Sequence, residues 1–329
     1  MTVQHDTFSK YVAILGRGPG RSRALTREEA REAFGMILRR EADPRQVGAF
    51  LMLLRFRGED APEIAGMVEA ARDSIFAPLA GLSVDLDWPS YGAGRTRGAP
   101  WFLLSALALA QAGAGVLMHG SNEYSAGISV ESGLRALGLA PSEDKDNAAE
   151  TLRRTHFAYV PLGALAPEME ELLGMRRLFG LRSPVNTVAR LVNPADAPAG
   201  VDGVFHPPYL AVHLGVAELL HRPRLFVLKG GGGEAERVPL KPATGWLWDR
   251  NHARSEIALP ALPGLGPLTP LTDTPALFAA VWHGQAMPPT AIATVIATIG
   301  LGLVALGWAA TAEAANQEAE RIWRGRLPT

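Results

Sequence analysis

Two short glycine-containing motifs, each at the end of an apolar segment, constrain the fold of this chain more than any other feature. The first, Ser90-Tyr91-Gly92-Ala93-Gly94, follows an alternating segment at Leu82–Asp87 that predicts a strand. The second, Met118-His119-Gly120, closes an apolar run that begins at Gly115. An Ala- and Leu-rich helix is predicted between them, from about Trp101 to Ala112. Strand, helix and strand in this order indicate a parallel sheet, whose ligands lie beyond the carboxyl ends of the strands.

The segment before these motifs has the pattern of a small helical unit. Helix-start signals recur along it, at Thr26 with Glu29, at Pro44 and at Pro62. The rest of the chain alternates strands with helices, with further strands predicted at Phe157–Val160 and Leu225–Leu228. The predicted fold class is therefore α/β: a small all-helical domain over residues 1–78, and a larger α/β domain with a mainly parallel sheet over residues 79–329.

A third motif, Arg176-Arg177-Leu178-Phe179-Gly180-Leu181-Arg182, is followed by Asn186. In this order the three motifs resemble those of anthranilate phosphoribosyltransferase and its relatives in glycosyltransferase family 3. Those enzymes read G-T-G-G-D, K-H-G-N-R and R-x-x-L-G-I-R-T-x-F-N, and the resemblance extends over nearly the whole chain. It implies the nucleoside phosphorylase/phosphoribosyltransferase fold, in which residues 176–200 return to the small helical domain. It also implies a homodimer formed through that domain.

Several residues that would hold the substrate in this family are replaced here. The aspartate of the first motif falls on Gly94 and the lysine of the second falls on Met118. The polar residues expected after the first loop fall on Pro100, Phe102 and Leu103. None of these five side chains can bind a phosphate group, so the resemblance predicts the fold while the substitutions predict that the usual chemistry is absent.

The metal site of the family is also altered. Phosphoribosyl diphosphate needs Mg²⁺, which takes oxygen ligands. The family's Asp-Glu pair corresponds to Lys229–Glu236, where Glu234 and Glu236 are not adjacent; the alternative is a flexible polar loop. We therefore predict no catalytic residue, no metal site and no cofactor. The alternative is an active phosphoribosyltransferase that uses phosphoribosyl diphosphate with Mg²⁺ and acts on anthranilate or another aromatic amine.

The resemblance implies an ancestral ligand cleft at these motifs. Its residues are Tyr91, Gly92, Gly94, Arg95, His119, Gly120, Ser125, Arg176, Arg182 and Asn186. Ser125 matches a serine that contacts phosphate, and Arg176 matches the arginine that contacts the anthranilate carboxylate. Structural roles are the alternatives, with His119 as a buried hydrogen-bonded histidine and Arg176 as a link between two helices. A small anionic ligand in this cleft is a further hypothesis for function.

Within family 3, the Tyr-Gly-Ala-Gly-Arg loop and the missing aspartate and lysine resemble a nucleic-acid-binding paralogue of anthranilate phosphoribosyltransferase. That resemblance implies a non-catalytic protein that binds the phosphate backbone of DNA or RNA with little sequence preference. The candidate contacts are Arg17, Arg21, Arg23, Arg95 and Arg97. The alternative is a set of solvated helix faces, because glutamates are interleaved with the arginines. The net charge of −1 does not by itself predict a nucleic-acid partner.

Composition supplies the remaining expectations. Cysteine is absent, so disulfides and thiolate zinc sites are excluded. The first 20 residues lack the long apolar run of a secretory signal, so a cytoplasmic location is the default expectation. Thr290–Ala312 is apolar and long enough to cross a bilayer. We predict that it forms buried helices of the α/β domain rather than a membrane anchor.

Overall fold

The computed structural model describes residues 4–18, 20–76, 79, 81–92, 98–123, 127–265 and 274–327. Its N-terminal part is a bundle formed by α1 (Gln4–Gly16), α2 (Arg27–Leu38), α3 (Pro44–Arg57) and α4 (Ala61–Ala71). The predicted capping box is confirmed: the Thr26 side chain accepts the Glu29 N–H, and the Glu29 carboxylate accepts the Thr26 N–H. Asp43 and Asp60 cap α3 and α4 in the same manner. These caps satisfy backbone N–H groups that would otherwise lack partners, which is why each helix begins where it does.

The remaining chain is built around a seven-stranded sheet. Its strands are β1 (Leu86–Ser90), β2 (Val116–Gly120), β3 (Phe157–Pro161), β4 (Ala199–Val204), β5 (Arg224–Lys229), β6 (Ala243–Asp249) and β7 (Ala253–Leu259). They lie in the order β3-β2-β1-β4-β5-β6-β7. Strands β1 to β5 are parallel, and β6 and β7 add an antiparallel edge. The predicted fold class, a helical domain beside a larger α/β domain with a mainly parallel sheet, is confirmed.

Helices cover both faces of the sheet. They are α5 (Trp101–Gln111), α6 (Val130–Ala136), α7 (Lys145–Thr155), α8 (Leu162–Leu165), α9 (Pro167–Gly174), α10 (Arg176–Phe179), α11 (Val185–Leu191), α12 (Pro208–Leu219), α13 (Pro275–Trp282), α14 (Pro289–Leu306) and α15 (Ala312–Gly325). On one face, α5, α14 and α15 bury an apolar core with β1 and β2. On the other face, α11 and α12 pack between the sheet and α4 of the bundle.

The chain between β3 and β4 packs on the N-terminal bundle. Leu162 of α8, Met169 of α9 and Val188 of α11 are buried in the same apolar core as Phe34 and Phe50 of the bundle. Residues 176–200, for which a return to the helical domain was predicted, contain α10 and α11, and β4 begins at Ala199. Arg182 and Asn186 therefore lie where the bundle, α11 and the end of β4 come together.

Helix α14 is the described helix with the length and apolar composition to cross a membrane. It packs against α5, α15 and strands β4 and β5, and 72% of its 18-residue window is buried inside the fold. Thr298 and Gly300 lie on this buried surface, where Gly300 allows the close approach of Asn316 and Ala315. Thus α14 is a core helix of the α/β part, as predicted for Thr290–Ala312.

Two local predictions were wrong. The first strand does not occupy Leu82–Asp87; it runs from Leu86 to Ser90, and all five of its residues are buried. A parallel strand covered on both faces does not show the alternation that suggested the earlier segment. The alternative interpretation of Lys229–Glu236 as a flexible polar loop was also wrong for its glycines, because Gly232 and Gly233 are buried in a short 3-10 turn. Gly233 lies close to the residue that follows β4, since a Cβ built on Gly233 would be 3.5 Å from the Phe205 backbone nitrogen.

Candidate functional site

His119 stands at the carboxyl end of β2 and is completely buried. Its Nδ1 atom lies 2.8 Å from the Tyr91 hydroxyl, and its Nε2 atom lies 3.1 Å from Oδ1 of Asp87 on β1. The other carboxylate oxygen of Asp87 accepts a hydrogen bond of 3.0 Å from Arg222. Because a carboxylate can only accept, Nε2–H donates to Asp87, while Nδ1 shares a hydrogen bond with the Tyr91 hydroxyl. Both ring nitrogens are therefore used inside the protein.

The same network shifts the ionisation of its members. Burial by itself raises the pKa of the Asp87 carboxyl, but the contacts with His119 and Arg222 outweigh burial and lower that pKa. Burial also raises the pKa of Tyr91 well above its ordinary value, so this hydroxyl stays protonated. Asp87 thus remains a carboxylate between a histidine and an arginine. His119 and Tyr91, two residues of the predicted cleft, hold β1 and β2 together and do not face solvent.

The side chains of the two residues after Gly120 form hydrogen bonds with glutamates of the same chain. The Ser121 hydroxyl donates to Glu170 over 2.8 Å. The Asn122 amide donates to Glu131 over 2.7 Å and to the Tyr159 hydroxyl over 3.2 Å. These two positions correspond to the Asn-Arg pair of the family motif, so polar groups that would face a sugar diphosphate are held by internal carboxylates.

The edge of the sheet at this point is acidic. Glu170 is partly buried, and its pKa is raised first by that burial and also by the neighbouring carboxylates of Glu123 and Glu131. Arg177 pairs with Glu123 at 2.7 Å, which places the segment before α11 beside the end of β2. Glu131 pairs with Arg135 at 2.9 Å, so three carboxylates with two paired arginines leave an excess of acid that would repel a polyanionic diphosphate rather than attract it.

A glutamate side chain of the protein also contacts the first turn of α5. Pro100 precedes the helix without a side-chain cap, and Phe102 and Leu103 are buried in the apolar core. The Phe102 N–H donates to Oε2 of Glu236 over 3.0 Å. The N-terminus of a helix is a ready-made site for an anion, because free N–H groups and the helix dipole both favour negative charge. Here a side-chain carboxylate of the protein takes that position.

Glu234, the other candidate metal ligand, lies beside Arg190 of α11. It is buried, and its Oε1 atom lies 4.0 Å from Nη2 of Arg190. Glu234 and Glu236 therefore contact different partners, one near α11 and one on α5. Among the described residues there is no group of three His, Cys, Asp or Glu side chains that could hold a metal ion.

Arg182 and Asn186 line a cleft of about 150 Å³ between α3, α11, the end of β4 and the start of α12. Arg55, Arg190, His206 and Tyr209 are among its other polar lining residues. Burial lowers the pKa of the Arg182 guanidinium, and repulsion from nearby Arg176 lowers it further, but Arg176 does not line the cleft. His119 and Tyr91 are likewise outside it, so the predicted cleft residues divide between a buried network and a separate arginine-rich pocket.

Of the other predicted cleft residues, two glycines are described. Gly92 is buried after β1, and Gly120 is required by close packing: a Cβ there would lie 1.9 Å from the Ser90 carbonyl oxygen. Four predicted residues lie outside the described part of the chain, namely Gly94, Arg95, Arg97 and Ser125.

The N-terminal arginines differ in their contacts. Arg17 and Arg21 are exposed in the loop between α1 and α2. Arg23 forms two hydrogen bonds with the Glu29 carboxylate, at 2.6 and 2.7 Å, and this contact lowers the pKa of Glu29 to about 2. Its charge is thus largely neutralised, unlike the charges of Arg17 and Arg21, for which the described residues provide no ion pair.

A further arginine extends this surface. Arg57, at the end of α3, is exposed and donates to the Ser22 hydroxyl over 3.0 Å, which brings it next to Arg21. Phe56 beside it is 89% exposed. We call Arg17, Arg21, Phe56 and Arg57 the basic loop surface. Two of its members, Arg17 and Arg21, were predicted contacts, whereas the two on α3 were not placed beside the loop because they lie far from it in the sequence.

Comparison with known proteins fits the two-part architecture. Residues 10–75 match the helical bundle domain of a glycosyl transferase family, and residues 102–269 match the α/β domain of the same family. The chain belongs to glycosyltransferase family 3. Its similarity to anthranilate phosphoribosyltransferase, expected from the three motifs, is thereby confirmed at the level of the family.

Individual family 3 relatives show the extent of the similarity. Anthranilate phosphoribosyltransferase of Moorella thermoacetica is 29% identical over 303 residues, 90% of this chain and 89% of the enzyme. The uncharacterized protein YbiB of Escherichia coli K12 is 30% identical over 207 residues, 62% of this chain and 64% of that protein. Anthranilate phosphoribosyltransferase from Thermus thermophilus superposes with a TM-score of 0.78 at 24% identity, covering 97% of this chain and 94% of that one. The solved structure establishes a common fold.

Within this family 3 fold, sequence reasoning missed the contacts that side chains make around β1, β2 and the start of α5. Glu236 was considered as a metal ligand, and its contact with the first turn of α5 was not foreseen. Asp87, Arg222 and Arg190 were not singled out at all. Asp87 carries a signal that could have been used, because a charged residue in an otherwise apolar parallel strand needs a buried partner.

Proposed function

We propose that this family 3 protein is a non-catalytic homodimer that binds nucleic acid through its phosphate backbone, without sequence preference. The observation that carries the loss of catalysis is the hydrogen bond between Glu236 and the Phe102 N–H. An anionic substrate placed at the start of α5 would have to displace a carboxylate that already satisfies this helix end. The chain thus provides its own anion where a diphosphate would bind.

Electrostatics near β2 support the same proposal. Binding phosphoribosyl diphosphate with Mg²⁺ requires cationic or neutral donors around several phosphate oxygens. Glu123, Glu131 and Glu170 surround the end of β2 instead, and Met118 is a buried strand residue at the position of the family's lysine. Losing one oriented ligand costs about 2.7–4 kcal/mol of transition-state stabilisation in well-studied active sites. Several losses together leave little rate enhancement.

The basic loop surface supports the nucleic-acid part of the proposal. Its three arginines are exposed, and Arg57 is held next to the loop by its bond to Ser22. Exposed cations release counterions when they contact backbone phosphates, and this term does not depend on sequence. An exposed aromatic ring such as Phe56 adds a face on which an unpaired base can stack. Cations beside an aromatic ring are the combination found in proteins that bind single strands.

A homodimer is supported by an uncovered apolar region of the helical part. Leu178 is 82% exposed and borders a groove of about 460 Å³ whose walls include Ile37, Val47, Leu172 and Met175. Large apolar side chains exposed beside a groove are typical of protein interfaces. Light scattering is expected to give twice the chain mass for the wild type. Leu178→Glu should shift it towards the monomer, whereas Met287→Glu, at another exposed apolar position, should not.

Fluorescence anisotropy with labelled DNA and RNA tests the binding function. The logarithm of the affinity for a long single strand should fall linearly with the logarithm of the salt concentration, with a slope of about −0.7 for each phosphate contact. Arg21→Ala with Arg57→Ala should make the slope shallower and weaken binding to all sequences equally. Arg153→Ala with Arg154→Ala is the matched control, because it removes the same charge from the exposed end of α7. No binding to long DNA or RNA at low salt refutes the proposal.

The second candidate function is phosphoribosyl transfer to anthranilate or another aromatic amine. Its support is the 29% identity with the Moorella enzyme across 90% of the chain. Product formation from anthranilate and phosphoribosyl diphosphate, measured with and without Mg²⁺, decides between the two. We expect no Mg²⁺-dependent turnover, and robust turnover by the purified protein would establish the enzyme instead.

A further inference from the structure

The arginine-rich cleft beside α11 is distinct from the site at β1 and β2. Its walls come from four parts of the fold: Arg55 from α3, Arg182 and Asn186 from the segment around α11, His206 after β4, and Tyr209 from α12. At about 150 Å³ it is smaller than the 300–1,000 Å³ typical of pockets for whole drug-sized ligands. Its size therefore suits a single small group rather than a nucleoside.

Arg190 lines the cleft, and its guanidinium makes only part of the hydrogen bonds it could donate. The side chain is 9% exposed, and Nη2 donates to the Tyr91 carbonyl oxygen over 2.8 Å. Nη1 is buried and makes no hydrogen bond within the described part of the chain; Asp202 lies 3.8 Å from it. The Asp202 carboxylate is already hydrogen-bonded to His213 and to the Gly203 N–H. A buried donor of this kind is costly unless a ligand or water accepts its proton.

Arg182 contributes an uncompensated charge. Its pKa is lowered to about 10, first by burial and then by repulsion from Arg176, Arg190 and Arg55. No carboxylate of the described residues lies within ion-pair distance of it, and its guanidinium is 5.9 Å from the centre of the Phe205 ring. Arg190 in the same cleft lies within 3.8–4.0 Å of Asp202 and Glu234, so Arg182 is the buried cation that lacks a counter-charge among the described residues. A buried cation of this kind raises the free energy of the empty protein, and an anion bound beside it would lower it.

Arg55 is oriented by its neighbours. Its Nη1 donates to the Tyr209 hydroxyl over 2.6 Å, and that hydroxyl donates to Glu59 over 2.7 Å. Arg55 and Tyr209 therefore form a fixed wall that connects the helical part to α12. A group held between this wall and Arg182 would contact both the bundle and the α/β part at once.

We propose that this cleft binds one phosphate group, held by Arg182 and Arg190 with Asn186 and Arg55 as further donors. A phosphate is favoured over a carboxylate because its tetrahedral oxygens can accept from donors on several walls together. The site does not depend on the nucleic-acid function. The phosphate group can belong to a free phosphate, to a phosphomonoester or to a nucleic-acid strand, and the experiment separates the strand from the other two.

Thermal unfolding and ³¹P line broadening with inorganic phosphate test the site in the full-length protein. At constant ionic strength, phosphate should raise the unfolding temperature of the wild type above the value in chloride, because it binds only the folded state. Arg182→Gln should weaken phosphate binding at least about tenfold, as expected for the loss of a charge-assisted hydrogen bond. Arg154→Gln, which removes an exposed arginine from α7, should bind phosphate like the wild type.

A second variant guards against misfolding of the first. Asn186→Asp keeps the side-chain size and adds a negative charge to the cleft, so it should also abolish the phosphate-specific rise. The proposal is overturned if phosphate and chloride stabilise the wild type equally, or if both cleft variants bind phosphate as tightly as the wild type does.

Long single-stranded DNA identifies the source of the phosphate. Unchanged DNA affinity in Arg182→Gln, together with lost phosphate binding, assigns the cleft to a free phosphate or a phosphomonoester. Loss of both assigns it to a backbone phosphate. If the wild type binds phosphate but no nucleic acid, the proposed nucleic-acid function fails while the phosphate site stands.

Discussion

Replacement of Asp87 by Asn tests whether the histidine network is a structural element. The substitution keeps the shape of the side chain and removes the only carboxylate that contacts Arg222 within the described part of the chain. Arg222 is buried, and its Nε and Nη1 atoms already make no hydrogen bond among those residues. The variant therefore leaves an arginine cation without a counter-charge between the sheet and α12.

The size of the effect follows from this burial. Removing one partner of a buried ion pair costs about 3–5 kcal/mol of folding stability, because the remaining charge is left uncompensated. The contact between Asp87 and His119 adds to the loss, since the ring N–H must then donate to an amide oxygen instead of a carboxylate. We expect the free energy of unfolding to fall by about 3–5 kcal/mol.

Urea unfolding followed by tryptophan fluorescence measures this change, since Trp88 lies beside Asp87 in β1 and is fully buried. Asp73→Asn is the matched control: it removes the same charge from an exposed pair with Arg31 and should cost less than about 1 kcal/mol. A loss for Asp87→Asn as small as that of the control would refute the reasoning, because Asp87 would then contribute no more than a surface ion pair.

Three further predictions concern stability. The folded-state pKa of Asp87 is lowered, so its contribution to the free energy of unfolding is fully present above an ordinary carboxyl pKa of about 3.9 and is lost as the pH falls through the folded-state pKa. In an acid titration, the unfolding free energies of the wild type and Asp87→Asn should therefore converge below pH about 4. Gly66→Ala should lower the free energy of unfolding in urea by about 3 kcal/mol, since the added Cβ would lie 2.0 Å from the Arg27 carbonyl oxygen. A change within about 0.5 kcal/mol, the usual range of surface substitutions, would contradict the packing of α2 on α4. Glu236→Ala should lower the melting temperature through the loss of about 1 kcal/mol of capping at Phe102, and an unchanged melting temperature argues against that contact.

The sequence predicted the fold class because its signals are local. The capping box at Thr26 and the apolar helix at Trp101 need only a few neighbouring residues to be recognised, and both were placed within a residue or two. Strand β4 was missed because Ala199–Val204 contains two glycines and a buried aspartate, and has no run of β-branched residues. Strand β7 was missed because it is an exposed antiparallel edge with charged residues.

The site was predictable only in part, because its decisive contacts join distant positions. The motifs identified His119 and its alternative structural role, but the Asp87 and Arg222 partners come from other strands and loops. The bond from Phe102 to Glu236 spans 134 positions in the chain, and no spacing rule connects them. The Arg23 pair with Glu29 lies closer in sequence, yet the same pattern also fits two independently solvated charges.

Isothermal titration of the full-length protein with phosphoribosyl diphosphate and Mg²⁺, beside a titration with long single-stranded DNA, tests the central claim most directly. If internal carboxylates have replaced the diphosphate and metal sites, DNA should give saturable heat that decreases with salt. Phosphoribosyl diphosphate should then show no binding that depends on Mg²⁺. Tight Mg²⁺-dependent binding of phosphoribosyl diphosphate, with no heat from DNA, would contradict the account.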